Sequence, residues 1–244
     1  MSGPPRGGRR SPRAAPNRGN PLGDTPLRVD PETWAPPPAP AAPARGVLGG
    51  DRLLDQPAHA ALARQLDAFV APGGPPVVLE IGVDRGWELL AAARACPERR
   101  FLGLELRRTV LPAIGAGPER VPDNALLMRM DARTVLPRVP PGRLIGVEVR
   151  FPTPSHDPRH LLFTPAVAAA IGRALYPRGS LYVVTDVPGF LPLLDALFDG
   201  WPPAAPPAPR PLPSRREAAC AAAGIPTFWR AWGPPPLAPG GAPE

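Results

Sequence analysis

Hydrophobic residues in the middle of the chain fall into short apolar runs that alternate with segments of helical spacing. Five runs have the length and composition of buried strands: VVLEI (77–81), FLGLEL (101–106), ALLMRM (125–130), LIGVEV (144–149) and SLYVVTD (180–186). Runs of this kind separated by helices indicate βαβ units. The pattern therefore predicts a mostly parallel sheet that is covered by helices on both faces.

Segments with apolar residues at helical spacing are the predicted covering helices. They occupy 58–70, 87–95, a short stretch from Thr109, 165–175, 190–198 and 214–223. A further strand-like run, PTFWRAW, lies at 226–232. We expect an α/β fold.

Proline marks the limits of the folded region. The 244 residues include 43 prolines, which concentrate towards both ends. Proline fixes φ and has no N–H group, so it prevents regular helices and interior strands. We therefore predict a disordered Pro/Arg-rich tail over 1–46, one domain over 47–232 with an extended Pro-rich loop at 202–213, and a second disordered tail over 233–244.

Composition restricts the class of protein. No apolar run reaches the ~18 residues of a membrane helix, and the N-terminal arginines precede no apolar signal segment, so we expect a cytoplasmic protein without membrane contact. Two cysteines and three histidines lack ligand spacing, so we expect no metal. The net charge of +7 comes from arginine alone and suggests an anionic partner, although a compositional bias towards Arg, Ala, Pro and Gly explains it too.

Acidic residues follow the first three predicted strands. Glu80 leads into a loop with Gly82 and Gly86, where glycine lets a ligand approach the backbone and the next helix begins. Glu105 ends the second strand, where a carboxylate can bind ribose hydroxyls, and Asp131 follows the third, within reach of an adenine edge. The alternative is that all three are solvated charges at strand ends. The grouping favours an adenosyl ligand.

The glycine loop lacks the GxGxxG of dinucleotide-binding proteins. Its E-x-G-x-x-x-G pattern resembles the loop with which class I methyltransferases bind S-adenosylmethionine. In this loop Asp84 stands where that pattern has its middle glycine, a position that Asp tolerates better than most residues when φ is positive.

Five motifs together resemble the tRNA (guanine-N7)-methyltransferase family. In chain order they are LEIGVDRG (79–86), FLGLELRR (101–108), FPTPSHDPRH (151–160), YPRGSLYVVTD (176–186) and SRREAACAAAGIPTFWRAW (214–232). The resemblance covers roughly residues 77–232. It implies a Rossmann-like class I methyltransferase fold with a mostly parallel seven-stranded sheet. It also implies S-adenosylmethionine as cofactor, tRNA as partner, and methyl transfer to N7 of a guanosine.

The resemblance also implies roles for single residues. The implied cofactor ligands are Glu80, Gly82, Gly86, Glu105 and Asp131. The implied catalytic positions are Thr153 and Asp186, and the implied substrate ligands are Asp157, Arg159, Asp186, Ser214 and Glu217. Asp186 suits guanine on chemical grounds, because a carboxylate accepts hydrogen bonds from N1–H and the exocyclic amine. Its alternative role is a cap for the helix that follows Pro188.

Several residues depart from the family pattern. Thr153 replaces the family aspartate, Asp157 replaces a lysine, and Leu161 and Leu162 replace the start of a basic run. Two other functions therefore stay open: a catalytically weakened relative that binds cofactor or RNA, and a methyltransferase that acts on a small molecule.

The missing basic run bears on RNA affinity, because phosphate contacts supply much of it. We expect Arg150, Arg159, Arg215 and Arg216 to take its place; the alternative is that these four are solvated surface charges.

Overall fold

The computed structural model describes residues 57–107, 121–153 and 160–236. The predicted tail over 1–46 and the predicted helical stretch from Thr109 lie outside these residues, as does most of the predicted tail over 233–244. No helix in the described ranges is long and apolar enough to cross a membrane.

Six strands form one sheet in the described part of the chain. They are β1 (Val77–Ile81), β2 (Arg100–Leu104), β3 (Ala125–Met128), β4 (Leu144–Arg150), β5 (Leu175–Thr185) and β6 (Phe228–Trp232). The order across the sheet is β3-β2-β1-β4-β5-β6; the first five strands are parallel, and β6 is antiparallel to β5. This is a doubly wound order that reverses between β1 and β4. The predicted α/β class and mostly parallel sheet are confirmed.

Six helices accompany the strands in the described residues, and all but the third lie at predicted places. They are α1 (Pro57–Phe69), α2 (Trp87–Ala95), α3 (Ala132–Val135), α4 (Pro165–Ala174), α5 (Phe190–Leu197) and α6 (Arg215–Ala223). The short α3 continues into a 3₁₀ turn at Leu136–Arg138. α4 begins at an N-cap threonine, Thr164, followed by proline, which is a strong start signal.

The two faces of the sheet differ in chemistry. Alternate residues of a strand point to opposite faces. Leu79, Val147 and Leu181 belong to a large apolar cluster with residues of α1, α4 and α5. Glu80 pairs with Glu148 across β1 and β4, so these two residues share the opposite face, on which Val78 packs with α2. The central strands therefore have one apolar face and one partly ionic face.

The expected count of about seven strands is wrong for the described residues, which hold six. After α5 the chain does return to the free side of β6, where Pro203 forms an isolated bridge with Trp232. Ala204 N–H donates to the Ala231 carbonyl, and Gly233 N–H donates to the Pro202 carbonyl. The pairing stops there because the following prolines have no N–H groups to continue a ladder.

Candidate functional site

A cleft of about 500 Å³ lies at the carboxyl ends of the parallel strands. Residues that follow β1, β2, β3, β4 and β5 all line it, together with the start of α6. This is the place where doubly wound sheets bind ligands, and the volume lies within the ~300–1,000 Å³ typical of ligand sites. The predicted residues that line the cleft are Glu80, Gly82, Glu105, Asp131, Thr153, Asp186 and Ser214.

The glycine loop turns sharply between β1 and α2. Gly82 has φ 84°, and its N–H donates to the Leu104 carbonyl at 2.8 Å. Asp84 has φ 49°, as expected if it replaces a glycine, and Gly86 has φ 69° as the N-cap of α2. Only Gly82 of the two predicted glycines lines the cleft. Gly86 therefore shapes the loop without touching the cleft.

Glu105 is buried and holds the loop to the end of β2. Its carboxylate accepts hydrogen bonds from the backbone N–H groups of Asp84 (3.0 Å), Leu106 (2.9 Å) and Arg107 (2.9 Å). The half-exposed Arg107 guanidinium also donates to it and reaches Asp84 at 2.7 Å. These bonds explain why β2 ends at Leu104 and not at Leu106 as predicted.

Asp131 is the N-cap of α3 and is also buried. Its carboxylate accepts from the Arg133 backbone N–H at 2.9 Å and forms an ion pair with the Arg133 guanidinium. The first three strands thus place Glu80, Glu105 and Asp131 around one cleft, as the sequence predicted.

Glu80 is the most deeply buried of these three acids. Only 4% of its side chain is exposed, and its carboxylate bonds the Arg210 guanidinium. Burial, with a smaller contribution from the nearby Glu148 carboxylate, raises the pKa of Glu80 to about 7, although Arg210 and Arg150 oppose this shift. A buried carboxylate that titrates near neutrality at a cleft is typical of functional sites.

A buried ionic cluster continues from Glu80 across the sheet. It consists of Glu80, Glu148, Arg150, Arg210 and Glu217. The sequence analysis assigned no role to Glu148 or Arg210. In the sequence, Glu148 stands out as a charged residue inside an apolar strand, and Arg210 stands out as the single charge of the Pro-rich loop.

The other side of the cleft begins at the end of β4. Phe151 has φ 50°, which is rare for a bulky residue, while its N–H donates to the Val184 carbonyl at 2.7 Å. Such backbone strain concentrates at functional sites. The turn brings Thr153, the residue at the family's aspartate position, to the cleft, where it is exposed.

Asp186 lies at the end of β5 and is buried against α6. Its carboxylate pairs with the Arg216 guanidinium at 2.5 Å. Helix α5 begins after Gly189 and has no side-chain cap, so the alternative role of Asp186 as a helix cap is wrong.

Ser214 and Glu217 hold each other at the start of α6. The Ser214 hydroxyl accepts from the Glu217 N–H at 3.1 Å, and the Glu217 carboxylate accepts from the Ser214 N–H at 2.8 Å. This capping box fixes the helix end that forms one wall of the cleft. Ser214 lines the cleft, whereas Glu217 points to Arg150.

The arginines expected to contact phosphate occupy different environments. Arg150 lines the cleft but has only 10% side-chain exposure and bonds Glu148 and Glu217, so it neutralises buried carboxylates; its contact with RNA stays a prediction. Arg216 is tied to Asp186, and Arg215 is exposed at the cleft rim. Arg159 and Asp157 lie outside the described residues.

Two further observations concern metals and thiols. Within 57–107, 121–153 and 160–236 no three His, Cys, Asp or Glu side chains group in a way that could hold a metal ion. Cys96 and Cys220 are both free; Cys220 is buried, and burial raises the pKa of its thiol.

Comparison with known proteins gives consistent results. A family model described as "Putative methyltransferase" matches residues 75–196. The tRNA (guanine-N(7)-)-methyltransferase of Mycobacterium bovis (strain BCG / Pasteur 1173P2) is 34% identical over 134 residues, which are 52% of this chain and 51% of that protein. The enzyme of the same description from Acidovorax sp. (strain JS42) is 35% identical over 130 residues, 50% of this chain and 51% of that one.

Among solved structures, the aminoglycoside resistance methyltransferase NpmB1 is similar at 17% identity and a TM-score of 0.46, covering 70% of this chain and 93% of that one. The chain spans about half the length of the curated relatives it matches. The family match, by contrast, extends over half of this chain and includes β1 to β5 and most of α5. The resemblance seen in the sequence motifs is confirmed, and the chain belongs to this family of methyltransferases with a Rossmann-like fold.

Proposed function

We propose that the protein transfers a methyl group from S-adenosylmethionine to N7 of a guanosine in tRNA. One observation carries this proposal: Glu80, Glu105 and Asp131 extend from three adjacent strand ends into one cleft, opposite Asp186. The relatives described as tRNA (guanine-N(7)-)-methyltransferases support the same acceptor.

The residues of the cleft suit an adenosyl sulfonium. The donor carries a cationic amino group and a sulfonium, and the buried carboxylates supply the opposite charge. A side chain at Gly82 would meet no atom within 4 Å, so the loop leaves open space beside the backbone. Glu80, Gly82, Glu105 and Asp131 would hold the donor, which supplies an electrophilic methyl group when bound.

Glu105 already accepts several hydrogen bonds from the protein. Three come from backbone N–H groups, and the others come from the Arg107 side chain, which is half exposed. Ribose hydroxyls would replace the Arg107 guanidinium, while the backbone bonds keep the carboxylate in position.

The acceptor side needs no general base. Guanine N7 has an in-plane lone pair and carries no proton, so in-line attack on the methyl group releases none from that atom. Catalysis then rests on positioning the two reactants, which supplies up to ~7–11 kcal/mol. This explains how transfer can proceed with Thr153 in place of a carboxylate.

Asp186 is the residue that would orient the guanine. Its carboxylate can accept from N1–H and the exocyclic amine, in exchange for part of its pairing with Arg216. Phe151 lines the cleft and is partly exposed, so it offers apolar surface to a flat base.

The test is methylation of unmodified tRNA by the full chain, read by nucleoside mass spectrometry. We expect new N7-methylguanosine with the wild type and at least a hundredfold loss with Asp186→Asn, which removes the charge that faces the guanine. Asp195→Asn is the matched control, because Asp195 is exposed and pairs with Arg230 on the surface. Absence of N7-methylguanosine with the wild type, despite donor binding, would overturn the proposal.

Thr153 favours a second candidate function. It lines the cleft without a carboxylate, so a protein that binds the donor but does not transfer its methyl group is the competing function. This candidate predicts donor binding without turnover and restored transfer in Thr153→Asp. A small-molecule methyltransferase would instead turn over donor while having negligible tRNA affinity at low salt.

A further inference from the structure

The Pro-rich loop brings one charge into the interior of the protein. Arg210 lies between α5 and α6, and 6% of its side chain is exposed. Its Nη1 donates to the Glu80 carboxylate, and its Nη2 lies 3.0 Å from Oε2 of Glu148. The contact between Nη2 and Glu148 is an ion pair between two buried side chains.

Arg210 contacts the two carboxylates from outside the cleft. Glu80 is among the residues that line the cleft, and Arg210 is not. The guanidinium therefore does not fill the space that a ligand would occupy. It lies on the ionic face of the sheet and holds the carboxylate whose surface faces the cleft.

The charges of the buried ionic cluster do not balance. Glu80, Glu148 and Glu217 are three carboxylates, and Arg150 and Arg210 are two guanidinium groups. If all five groups are ionised, the cluster carries one excess negative charge, although each carboxylate contacts at least one guanidinium. A cationic ligand group beside Glu80 would compensate it, because buried charges need a partner.

We propose that Arg210 is a positioning residue that fixes the Glu80 carboxylate, as an anion, for the cationic amino group of the methyl donor. The Pro-rich loop then completes the donor site. Proline residues on both sides restrict the backbone around Arg210, so less conformational entropy is lost when the guanidinium is ordered. This inference rests on the proposed function only for the identity of the donor.

Three groups face Glu80: Arg210 from the Pro-rich loop, and Glu148 and Arg150 from β4. Arg210 and Arg150 lower the pKa of the Glu80 carboxyl, while burial and Glu148 raise it. Without Arg210 the Glu148 carboxylate is less compensated and Glu80 binds its proton more tightly. A protonated Glu80 attracts the donor's amino group less, so donor affinity at neutral pH falls.

The experiment compares Arg210→Met and Arg210→Lys with the wild-type chain. The Glu80 carboxyl is titrated by ¹³C NMR in the ligand-free protein, with Glu80→Gln used to assign the signal, and S-adenosylmethionine binding is measured by calorimetry from pH 6 to 8.5. We expect Arg210→Met to raise the Glu80 pKa by more than about one unit and to weaken donor binding at pH 7 about tenfold or more. Arg210→Lys, which keeps a point charge, stays within about threefold of the wild type.

Two further variants separate positioning from a general loss of structure. Glu148→Gln combined with Arg210→Met removes one charge of each sign. We expect this double variant to bind the donor with most of the wild-type affinity. It also provides the test if Arg210→Met alone does not fold. Arg230→Met, which removes an exposed arginine paired with Asp195, leaves donor binding unchanged.

Two results would overturn the inference. In the first, Arg210→Met leaves the Glu80 pKa unchanged and donor affinity within about twofold of the wild type. In the second, Arg210→Met binds the donor more tightly than the wild type, which would mean that Arg210 competes with the donor. If Arg210→Met weakens donor binding but the wild-type protein forms no N7-methylguanosine, the proposed function is overturned and the role of Arg210 is not. Absence of donor binding by the wild type would remove both.

Discussion

The two faces of the central strands perform different tasks. Leu79 and Val147 point into a continuous apolar cluster, whereas their neighbours Glu80 and Glu148 point into the buried ionic cluster. Burying a large apolar side chain stabilises a fold by ~1.5–3 kcal/mol. Burying paired charges contributes little net stability and is often less favourable than an apolar replacement. The apolar face therefore supplies the stability that the buried ionic cluster, which borders the proposed donor site, does not.

The largest stability effect is expected on the apolar face. Leu181 is fully buried there, so Leu181→Ala leaves a cavity and lowers the free energy of unfolding by about 2–5 kcal/mol. Chemical denaturation measures this loss, and Leu212→Ala is the control because Leu212 is 48% exposed. Folded Leu181→Ala should bind S-adenosylmethionine as the wild type does. A loss below about 1 kcal/mol would contradict the division of tasks between the faces.

A smaller, pH-dependent effect is expected on the ionic face. Burial raises the pKa of Glu80 from 4.5 to about 7 in the folded protein. The folded state then favours protonated Glu80, so stability from this group is present below pH 4.5 and is lost as the pH rises through about 7. Glu80→Gln cannot ionise. Relative to the wild type, its free energy of unfolding should therefore increase by about 2–3 kcal/mol as the pH rises from 5 to 8.

Urea unfolding at several pH values measures this difference. Glu98→Gln is the matched control, because 62% of the Glu98 side chain is exposed beside Arg99. If the difference in the free energy of unfolding between Glu80→Gln and the wild type stays constant with pH, burial does not perturb the pKa of Glu80. That result would contradict the contrast between the two faces.

The sequence predicted the parts of the molecule that depend on local pattern. The bounds of β1 and α2 agree with the structure because five consecutive buried residues and a helical apolar face are unambiguous signals. The positive φ of Asp84 also follows from residue type at a local position. Glu80, Glu105 and Asp131 converge because parallel strands end at the same edge of a sheet.

Other features depend on the path of the chain in space. Nothing local to the Pro-rich loop indicates that Arg210 packs under β1 and β4, far from it in sequence. Arg150 follows a strand and looked exposed, yet Glu217 from α6 covers it. The seventh strand was expected from the family resemblance; within the described residues, the pairing beside β6 ends at the prolines after Pro203. The short α3 was missed because four residues carry too little periodicity to identify a helix.

The most direct test of the central claim is calorimetric titration of S-adenosylmethionine into the full chain at pH 8, alongside Glu105→Gln and the exposed control Glu98→Gln. We predict one bound donor per chain for the wild type and for the control. Binding by Glu105→Gln should be at least about tenfold weaker, because the loss of a hydrogen-bonding charge costs ~1.5–3 kcal/mol. Absence of binding by the wild type, or equal binding by both variants, would contradict the assignment of this cleft to a methyl donor.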